Sequence, residues 1–483
     1  MTPGRPAPRS RLARRALARI APRAPELILV VLLAAMVAPV IASGEGGTAG
    51  ADDEQLYHLR TSLDLADELP HPDLEAVHTA TTPGFHLVLA VVARLVTDDR
   101  AALEAFGSLF SLAMVLVAYS LVARFVDRWL ALLLTLPFVL SHYVLQSAAW
   151  LNTDNAAVLF VLLTLGVALR LASAPPGEAD ARRPYVLGGA YLFLAAWVRQ
   201  AALWAAGPFV VAAALAGRLV PGLAGPGAAA EGARSARPVA RAIAATLPAL
   251  ASLLVLAAVW GQLTPPNAAN QSGTSAAALP FTLAIVGVFG PFFAACAVTR
   301  DDLLRGRAPV AAAAGGLLLA LAAPTSQTDE LQRRTGGGLW RVVESTPVVA
   351  DRSLLIAVLA PIGAAILVAL WRAAARHAMR RPAVVALAAV ASLALAQAAT
   401  VRTYQRYFEP MLLVLLALLA AMGPLGGAGG RGPDGARGAG GPDEAGDRGP
   451  DGAAARRRAV PVLVLLCALQ LAGCATVVYD NLV

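Results

Sequence analysis

Thirteen apolar stretches, separated by loops of alternating chemical character, constrain this chain more than any other feature. A helix needs about 20 apolar residues to cross the hydrocarbon core of a bilayer. Stretches that read as crossings lie near 26–43, 103–123, 129–149, 155–173, 184–198, 200–217, 242–262, 280–298, 308–323, 353–371, 383–400, 409–424 and 460–478. Only 14% of the residues are charged and 58% are hydrophobic, whereas a soluble domain carries about 25% charge. Inside a bilayer the backbone must satisfy its own hydrogen bonds, so such stretches form helices. The expected fold is therefore all-α: a polytopic transmembrane helical bundle of about 11–13 spans.

The loops set an orientation. The net charge is +8 and every basic residue is Arg. That bias, with the abundant Ala, Gly and Pro, fits a GC-rich bacterial genome. The Arg residues cluster in alternate loops: Arg124 and Arg128; Arg182 and Arg183; Arg218, Arg234, Arg237 and Arg241; Arg300, Arg305 and Arg307; Arg372, Arg376, Arg380 and Arg381. Positive loops stay cytoplasmic, so the basic balance orients spans and does not call for nucleic acid. Residues 1–25, with seven Arg and no acid, read as a cytoplasmic tail. The span after them is too long and too apolar for a cleaved signal region. Residues 425–459, rich in Gly, Pro, Asp and Arg, read as a disordered cytoplasmic linker before a C-terminal span within 460–483. This linker lacks the Gly-Lys-Ser/Thr ending of a phosphate-binding loop. Cys296, Cys467 and Cys474 all lie in apolar spans, so neither a disulfide framework nor a zinc site is indicated. The lipobox-like run Leu471-Ala472-Gly473-Cys474 lies near the C-terminus and reads as coincidence.

The opposite set of loops is chemically richer. The first extracytoplasmic loop, 44–102, is long and acidic, holds four His, and has room for interfacial helices over 53–69 and 84–97. It opens with Asp52-Asp53-Glu54, followed by Tyr57 and His58. On a surface helix, Asp53/Tyr57 and Glu54/His58 are i,i+4 neighbours. A carboxylate beside His or Arg can act as a general base or bind a metal; it can also simply cap a helix. His78 to His86 follows, with Thr82 before a Pro83-Gly84 turn that begins a new helix. Asn152-Thr153-Asp154-Asn155 reads first as a helix cap. Arg199-Gln200 sits between two closely spaced spans, where a guanidinium is costly unless it has an anionic partner. Arg402, Arg406 and Tyr407 lie at the outer end of a span, either in an aromatic belt or as phosphate or sugar contacts.

These positions resemble the GT-C superfamily of integral membrane glycosyltransferases. The likeness is greatest to the family that adds the terminal α-1,2-glucose from dolichyl-phosphate-glucose to lipid-linked oligosaccharide. Its motifs are similar to Asp53-Glu54-Gln55-Leu56-Tyr57-His58, Thr81-Thr82-Pro83-Gly84-Phe85, Arg199-Gln200 with Trp204, and Arg406-Tyr407 before Pro410, spread over 26–424. The resemblance implies a GT-C-like catalytic domain over 26–424 and a sugar donor carried on a polyprenyl phosphate. It also implies inverting transfer to a hydroxyl of an envelope glycan, glycolipid or protein. A bacterial plasma membrane with the active site on its extracytoplasmic face is implied as well. It makes Asp53 the expected general base, with Glu54 and Asp52 as further candidates. Arg199, Gln200, Arg402, Arg406 and Tyr407 are expected at the donor phosphate. His58, His78 and Thr82 are candidates to position the acceptor or to help the carboxylates bind a divalent cation, Mg or Mn. The residues alone leave three alternatives open: a transporter or flippase of lipid-linked glycans, a ligase or polymerase of the envelope, and a non-catalytic envelope assembly subunit.

Overall fold

The computed structural model describes residues 23–44, 49–175, 178, 181–220, 235–271, 273–326, 336–426 and 450–482. The tail reading of 1–25 lies almost wholly outside these residues, as does most of the linker reading of 425–459. The chain is a bundle of helices. α1 (Ala24–Ser43) precedes the first loop, where α2 (Ala49–Asp53) continues through a π-helical turn, Glu54–Leu59, into α3 (Arg60–Glu68). α4 (Gly84–Leu95) follows the Pro83 turn and packs on α3 through Leu65, Ala66 and Ala90. α5 (Arg100–Val122) is capped by the Asp99 carboxylate, which accepts from the Ala102 N–H. α6 (Arg128–Val139) and α7 (His142–Ala149) form one apolar segment bent by 73°. α8 (Thr153–Ser173) is capped by Asn152.

α9 (Arg183–Val198) leads through a 3-10 turn, Gln200–Ala205, into α10 (Ala206–Ala216) and then α11 (Arg237–Trp260). α12 (Ala278–Ala297), α13 (Arg300–Leu304), α14 (Arg307–Ala322) and α15 (Gly338–Glu344) come next. A two-residue antiparallel pair, β1 (Val348–Val349) and β2 (Arg352–Ser353), places Val348 opposite Ser353. α16 (Leu354–Arg376), α17 (Arg380–Ala398), α18 (Glu409–Ala421) and α19 (Pro450–Leu482) complete the chain. α19 begins ten residues before the expected C-terminal span, so Arg456, Arg457 and Arg458 are helical.

The span count differs from the sequence reading. Among the described residues eight helices are long and apolar enough to cross a membrane, and nine if the bent α6–α7 pair is one span. The other four expected crossings, 184–198, 200–217, 308–323 and 409–424, are helices as well, but short ones: Arg183–Val198, Gln200–Ala216, Arg307–Ala322 and Glu409–Ala421. At 1.5 Å per residue, a 16-residue helix extends about 24 Å, short of a 30 Å hydrocarbon core. α18 shows why apolar composition overcounts spans. All thirteen of its residues are buried against α12, α6, α17 and neighbouring helices, so its leucines face protein on every side.

Lipid tails are as apolar as leucine, so helices in a bilayer gain most from close contact between small residues. The α12–α16 crossing is built that way. A Cβ at Gly287 would collide with the Leu359 carbonyl, and one at Gly363 with the Leu283 carbonyl. Gly84 does the same for the first loop: a Cβ there would lie 2.5 Å from the Trp197 carbonyl, at the end of α9. Gly363→Val should therefore lower the melting temperature of the purified protein, with a cost of about 1–3 kcal/mol for overpacking. Gly315→Ala, where nothing lies within 4 Å of the new Cβ, should leave it unchanged or raise it. Thermal unfolding followed by intrinsic fluorescence distinguishes the two, and an unchanged Gly363→Val would refute the packing argument.

Candidate functional site

A cavity of about 1500 Å³ opens at one end of the bundle and draws its walls from both halves of the chain. Asp53, Tyr57 and His58 come from the first loop, Tyr143 and Gln146 from α7, and Arg199 and Trp204 from the α9–α10 junction. Arg341 comes from α15, Arg402, Arg406 and Tyr407 from the loop before α18, and Gly473 and Thr476 from α19. The bend between α6 and α7 turns His142, Tyr143 and Gln146 into this space. A straight span would carry them along its own axis.

Two ion pairs organise the centre. Arg406 donates from one terminal nitrogen to Asp53 Oδ2 at 2.8 Å, joining residues 353 positions apart. Arg199 donates to Asp154 Oδ1, and the second Asp154 oxygen lies 4.0 Å from Arg406 Nε. Tyr407 sits between the two guanidiniums, with Arg199 over its ring at 4.1 Å and Arg406 at 5.3 Å. Burial raises the Tyr407 phenol, but Arg406 and then Arg199 outweigh it, leaving the group below its ordinary value. Burial opposes the charge on Arg406, yet Tyr407 and Asp53 hold its pKa above the ordinary value. Burial is the larger influence on Arg199, which falls below its ordinary value.

The expected acidic cluster separates into three environments. Asp53 faces the cavity with its side chain 32% exposed, and Oδ1 has no hydrogen-bond partner among the described residues. Glu54 turns away, fully buried, and pairs with Arg100 Nε at 3.1 Å, a guanidinium it shares with Glu104. Asp52 is exposed and lies outside the cavity lining. One position of rotation along α2 and the π turn decides between chemistry and structure for neighbouring carboxylates. Glu54 and His58 consequently do not share the cavity face expected of i,i+4 neighbours.

Other expected site residues serve as struts. Thr82 is buried; its hydroxyl donates to the Ala196 carbonyl at 2.8 Å and its N–H donates to Gln200 Oε1 at 3.2 Å. Gln200 Nε2 donates to the Ala80 carbonyl at 2.7 Å. Gln200 thus lines the cavity while its amide ties loop 79–83 to the end of α9. His78 lies 3.2 Å from the Asp64 carboxylate. His58 Nδ1 is 2.9 Å from His86 Nε2, with the two rings nearly parallel. Burial, and then the charges of Arg406 and Arg199, push His58 down to about 3. Burial and His58 hold His86 well below its ordinary value, against a pull from the Thr82 carbonyl. The expected cation site finds no matching donor set. Among the described residues no three His, Cys, Asp or Glu side chains converge, and each expected ligand already has a partner: Asp53 with Arg406, His58 with His86, and His78 with Asp64. Two guanidiniums beside Asp53 add repulsion for a metal ion.

Two residues that matter here escaped the sequence. Asp154 reads as part of a helix cap, and Asn152 does cap α8, but the Asp154 side chain reaches Arg199. Arg341 lies in an outer segment with no recognisable motif. α15 is held in place because the Gly338 N–H donates to Tyr143 Oη at 3.2 Å and the Leu339 N–H to Gln405 Oε1 at 2.7 Å. Trp340 Nε1 donates to the Thr403 carbonyl at 2.7 Å. Of the side chains lining the cavity, four are Arg (Arg199, Arg341, Arg402 and Arg406) and Asp53 is the one acid among the described residues. Arg402 meets Tyr404 Oη at 3.0 Å; no carboxylate among the described residues pairs with it or with Arg341. The far wall is apolar, with Leu203, Trp204, Leu253, Trp260 and Leu263. The site combines an oriented carboxylate, surplus guanidinium charge and a greasy flank.

His58 carries a pH dependence with a definite sign. In the unfolded chain it takes up a proton near its ordinary value of 6.5, whereas the folded site resists protonation down to about 3. Between those values the unfolded state binds more protons, so stability falls as pH falls. His58→Gln removes that titration. Melting temperature measured from pH 7.5 to pH 5 should drop less steeply in His58→Gln than in wild type; parallel curves would contradict the buried neutral imidazole.

No family model matches the chain, and no curated protein does. Among solved structures it is similar to ArnT from Cupriavidus metallidurans in the apo state, at 13% identity and a TM-score of 0.35, over 82% of this chain and 78% of that one. The same protein bound to undecaprenyl phosphate gives 14% identity, a TM-score of 0.35, and 81% and 76% coverage. The archaeal oligosaccharyltransferase AglB from Archaeoglobus fulgidus, in complex with an inhibitory peptide and a dolichol-phosphate, gives 14% identity and a TM-score of 0.42. That match spans 92% of this chain and 56% of AglB. At such values none of these likenesses assigns an activity; the cavity has to.

Proposed function

We propose that this polytopic membrane protein is a GT-C-type glycosyltransferase that moves a sugar from a polyprenyl-phosphate donor to a hydroxyl acceptor. The observation that carries the reading is Asp53: a carboxylate with one oxygen fixed by Arg406 and the other open to a cavity rich in guanidinium. A base needs that geometry, with an orienting partner on one side and a free lone pair on the other. The acceptor hydroxyl attacks the anomeric carbon and gives its proton to Asp53 Oδ1. The new glycosidic C–O bond forms as the anomeric carbon–phosphate oxygen bond breaks, with inversion, and the polyprenyl phosphate departs with the bonding pair. Charge grows on that phosphate, and preorganised cations stabilise it best in a partly dry site.

The ion pairs redistribute the expected roles among the arginines. Arg406 and Arg199 are committed to Asp53 and Asp154, so they orient the carboxylates and shape the field. Arg402 and Arg341 suit the donor phosphate, since a guanidinium can grip it through two hydrogen bonds. The apolar wall from Trp204 to Leu263 suits the first isoprene units of the donor. The Arg clusters at the starts of α9 and α11 lie at the helix ends remote from the cavity, which supports a cytoplasmic N-terminus and an extracytoplasmic site in a bacterial plasma membrane. On that reading the acceptor is a hydroxyl of a glycan, glycolipid or protein of the cell envelope. No step is routed through a metal ion.

The test is transfer of radiolabelled sugar from a panel of synthetic polyprenyl-phosphate sugars, with membrane extract as acceptor source. Asp53→Asn should lower turnover by about 10²–10⁴-fold, the usual contribution of a positioned base, while donor binding persists. Arg341→Gln and Arg402→Gln should lower kcat/KM for the donor, with kcat falling as well, because the phosphate gains charge as it leaves. Glu54→Gln should reduce thermal stability with turnover largely kept. Full transfer by Asp53→Asn would sink the assignment.

A further inference from the structure

We propose that His58 accepts a hydrogen bond from a second hydroxyl of the acceptor, beside the one that Asp53 deprotonates, so that the site selects the vicinal diol of a sugar over a lone hydroxyl. The inference rests on the glycosyl-transfer reading and names the acceptor class for the same site. Its starting point is the π-helical turn Glu54–Leu59. An α-helix advances about 100° per residue, which would swing residue 58 about 140° away from Asp53. A π turn closes i to i+5 instead. Asp53 and His58 accordingly both line the cavity, one turn apart, while Glu54 between them is turned into the protein.

The contact between His58 and His86 decides what His58 offers the cavity. Nδ1 of His58 lies 2.9 Å from Nε2 of His86, and the ring planes differ by 4°. Both imidazoles are neutral, so one nitrogen of the pair donates and the other accepts. If His86 donated from Nε2, its Nδ1 would hold a bare lone pair, sealed from solvent and set against the Thr82 carbonyl. His58 would then carry its proton on Nε2, in the field of Arg406 and Arg199. The opposite choice removes both repulsions. His86 keeps its proton on Nδ1, His58 donates from Nδ1, and His58 Nε2 is left as a bare acceptor. No donor among the described residues meets that nitrogen.

The first-loop wall thus presents two hydrogen-bond acceptors, Asp53 Oδ1 and His58 Nε2, and calls for a partner with two donors. A Ser, Thr or Tyr hydroxyl supplies one. Adjacent hydroxyls of a sugar supply two. A site built to meet a hydroxyl discriminates strongly against a substrate that lacks it, because its own polar group is then left unpaired.

The radiolabel transfer assay tests this directly. Membrane extract treated with periodate, which cleaves vicinal diols, and then quenched should no longer accept sugar from wild type; extract digested with protease should still accept it. His58→Leu should lower transfer by about 10-fold or more at limiting extract. It should raise the amount of extract needed for half-maximal transfer and leave the KM for the polyprenyl-phosphate sugar unchanged. His58→Gln, which restores an acceptor oxygen, should recover most of the loss. Imidazole nitrogen NMR shifts of the full-length wild type read the tautomer without turnover, and they keep the proposal falsifiable if His58→Leu misfolds. Full acceptor capacity after periodate, an effect of His58→Leu confined to the donor KM, or a proton on His58 Nε2 would overturn the proposal while leaving Asp53 as base. No transfer by wild type from any donor would remove the glycosyl-transfer reading and this inference with it.

Discussion

The ion pair between Asp53 and Arg406 is the contact on which the rest of the site depends. It ties the first loop to the segment before α18, across most of the chain, and fixes the carboxylate's direction. A lone guanidinium or carboxylate this close to a bilayer is costly, and here each charge lowers the cost of its neighbour. Asp154 and Arg199 repeat the arrangement one step away, with Tyr407 between the two arginines. The four charges leave no net surplus among themselves. The cavity's excess of positive charge therefore resides on Arg341 and Arg402, and it is available to whatever anion enters.

Beneath this cluster lies a scaffold that uses few charges. Glu409, at the start of the central helix, is buried and accepts from Ser141 Oγ at 2.9 Å and from Gln405 Nε2 at 2.6 Å. Gln470 Nε2 on α19 donates to it at 3.3 Å. The same Gln405 holds α15 and with it Arg341. A buried polar network of this sort is worth having only when every member is satisfied, and this one links the start of α7 with α15, α18 and α19.

Much of this was legible in the sequence, and what was not has identifiable physical causes. Hydropathy located every helix it was asked to locate, because lipid and protein interior select the same residues. For that reason it could not tell α18, enclosed by protein, from a span facing lipid. Polar residues from loops far apart in the sequence do converge: Asp53, His58, Arg199, Arg402, Arg406 and Tyr407 line one cavity. Adjacent carboxylates could not be ranked, since the π turn that sends Glu54 to Arg100 has no compositional mark. Asp154 was hidden by the cap beside it. Arg341 was hidden because its position depends on backbone hydrogen bonds to residues about 60 and 200 positions away, which no local pattern records.

The cavity takes walls from both ends of the chain: Asp53 and Tyr57 near the start, Gly473 and Thr476 near the finish. During synthesis the early loop is made long before the residues that complete its surroundings exist. Asp53 has no Arg406 to pair with until that residue emerges, and Glu409 lacks the last of its three donors until Gln470 is inserted. The cavity's wall is thus complete only once α19 has joined it. A nascent or truncated chain can therefore lay down most of its helices without closing this cavity.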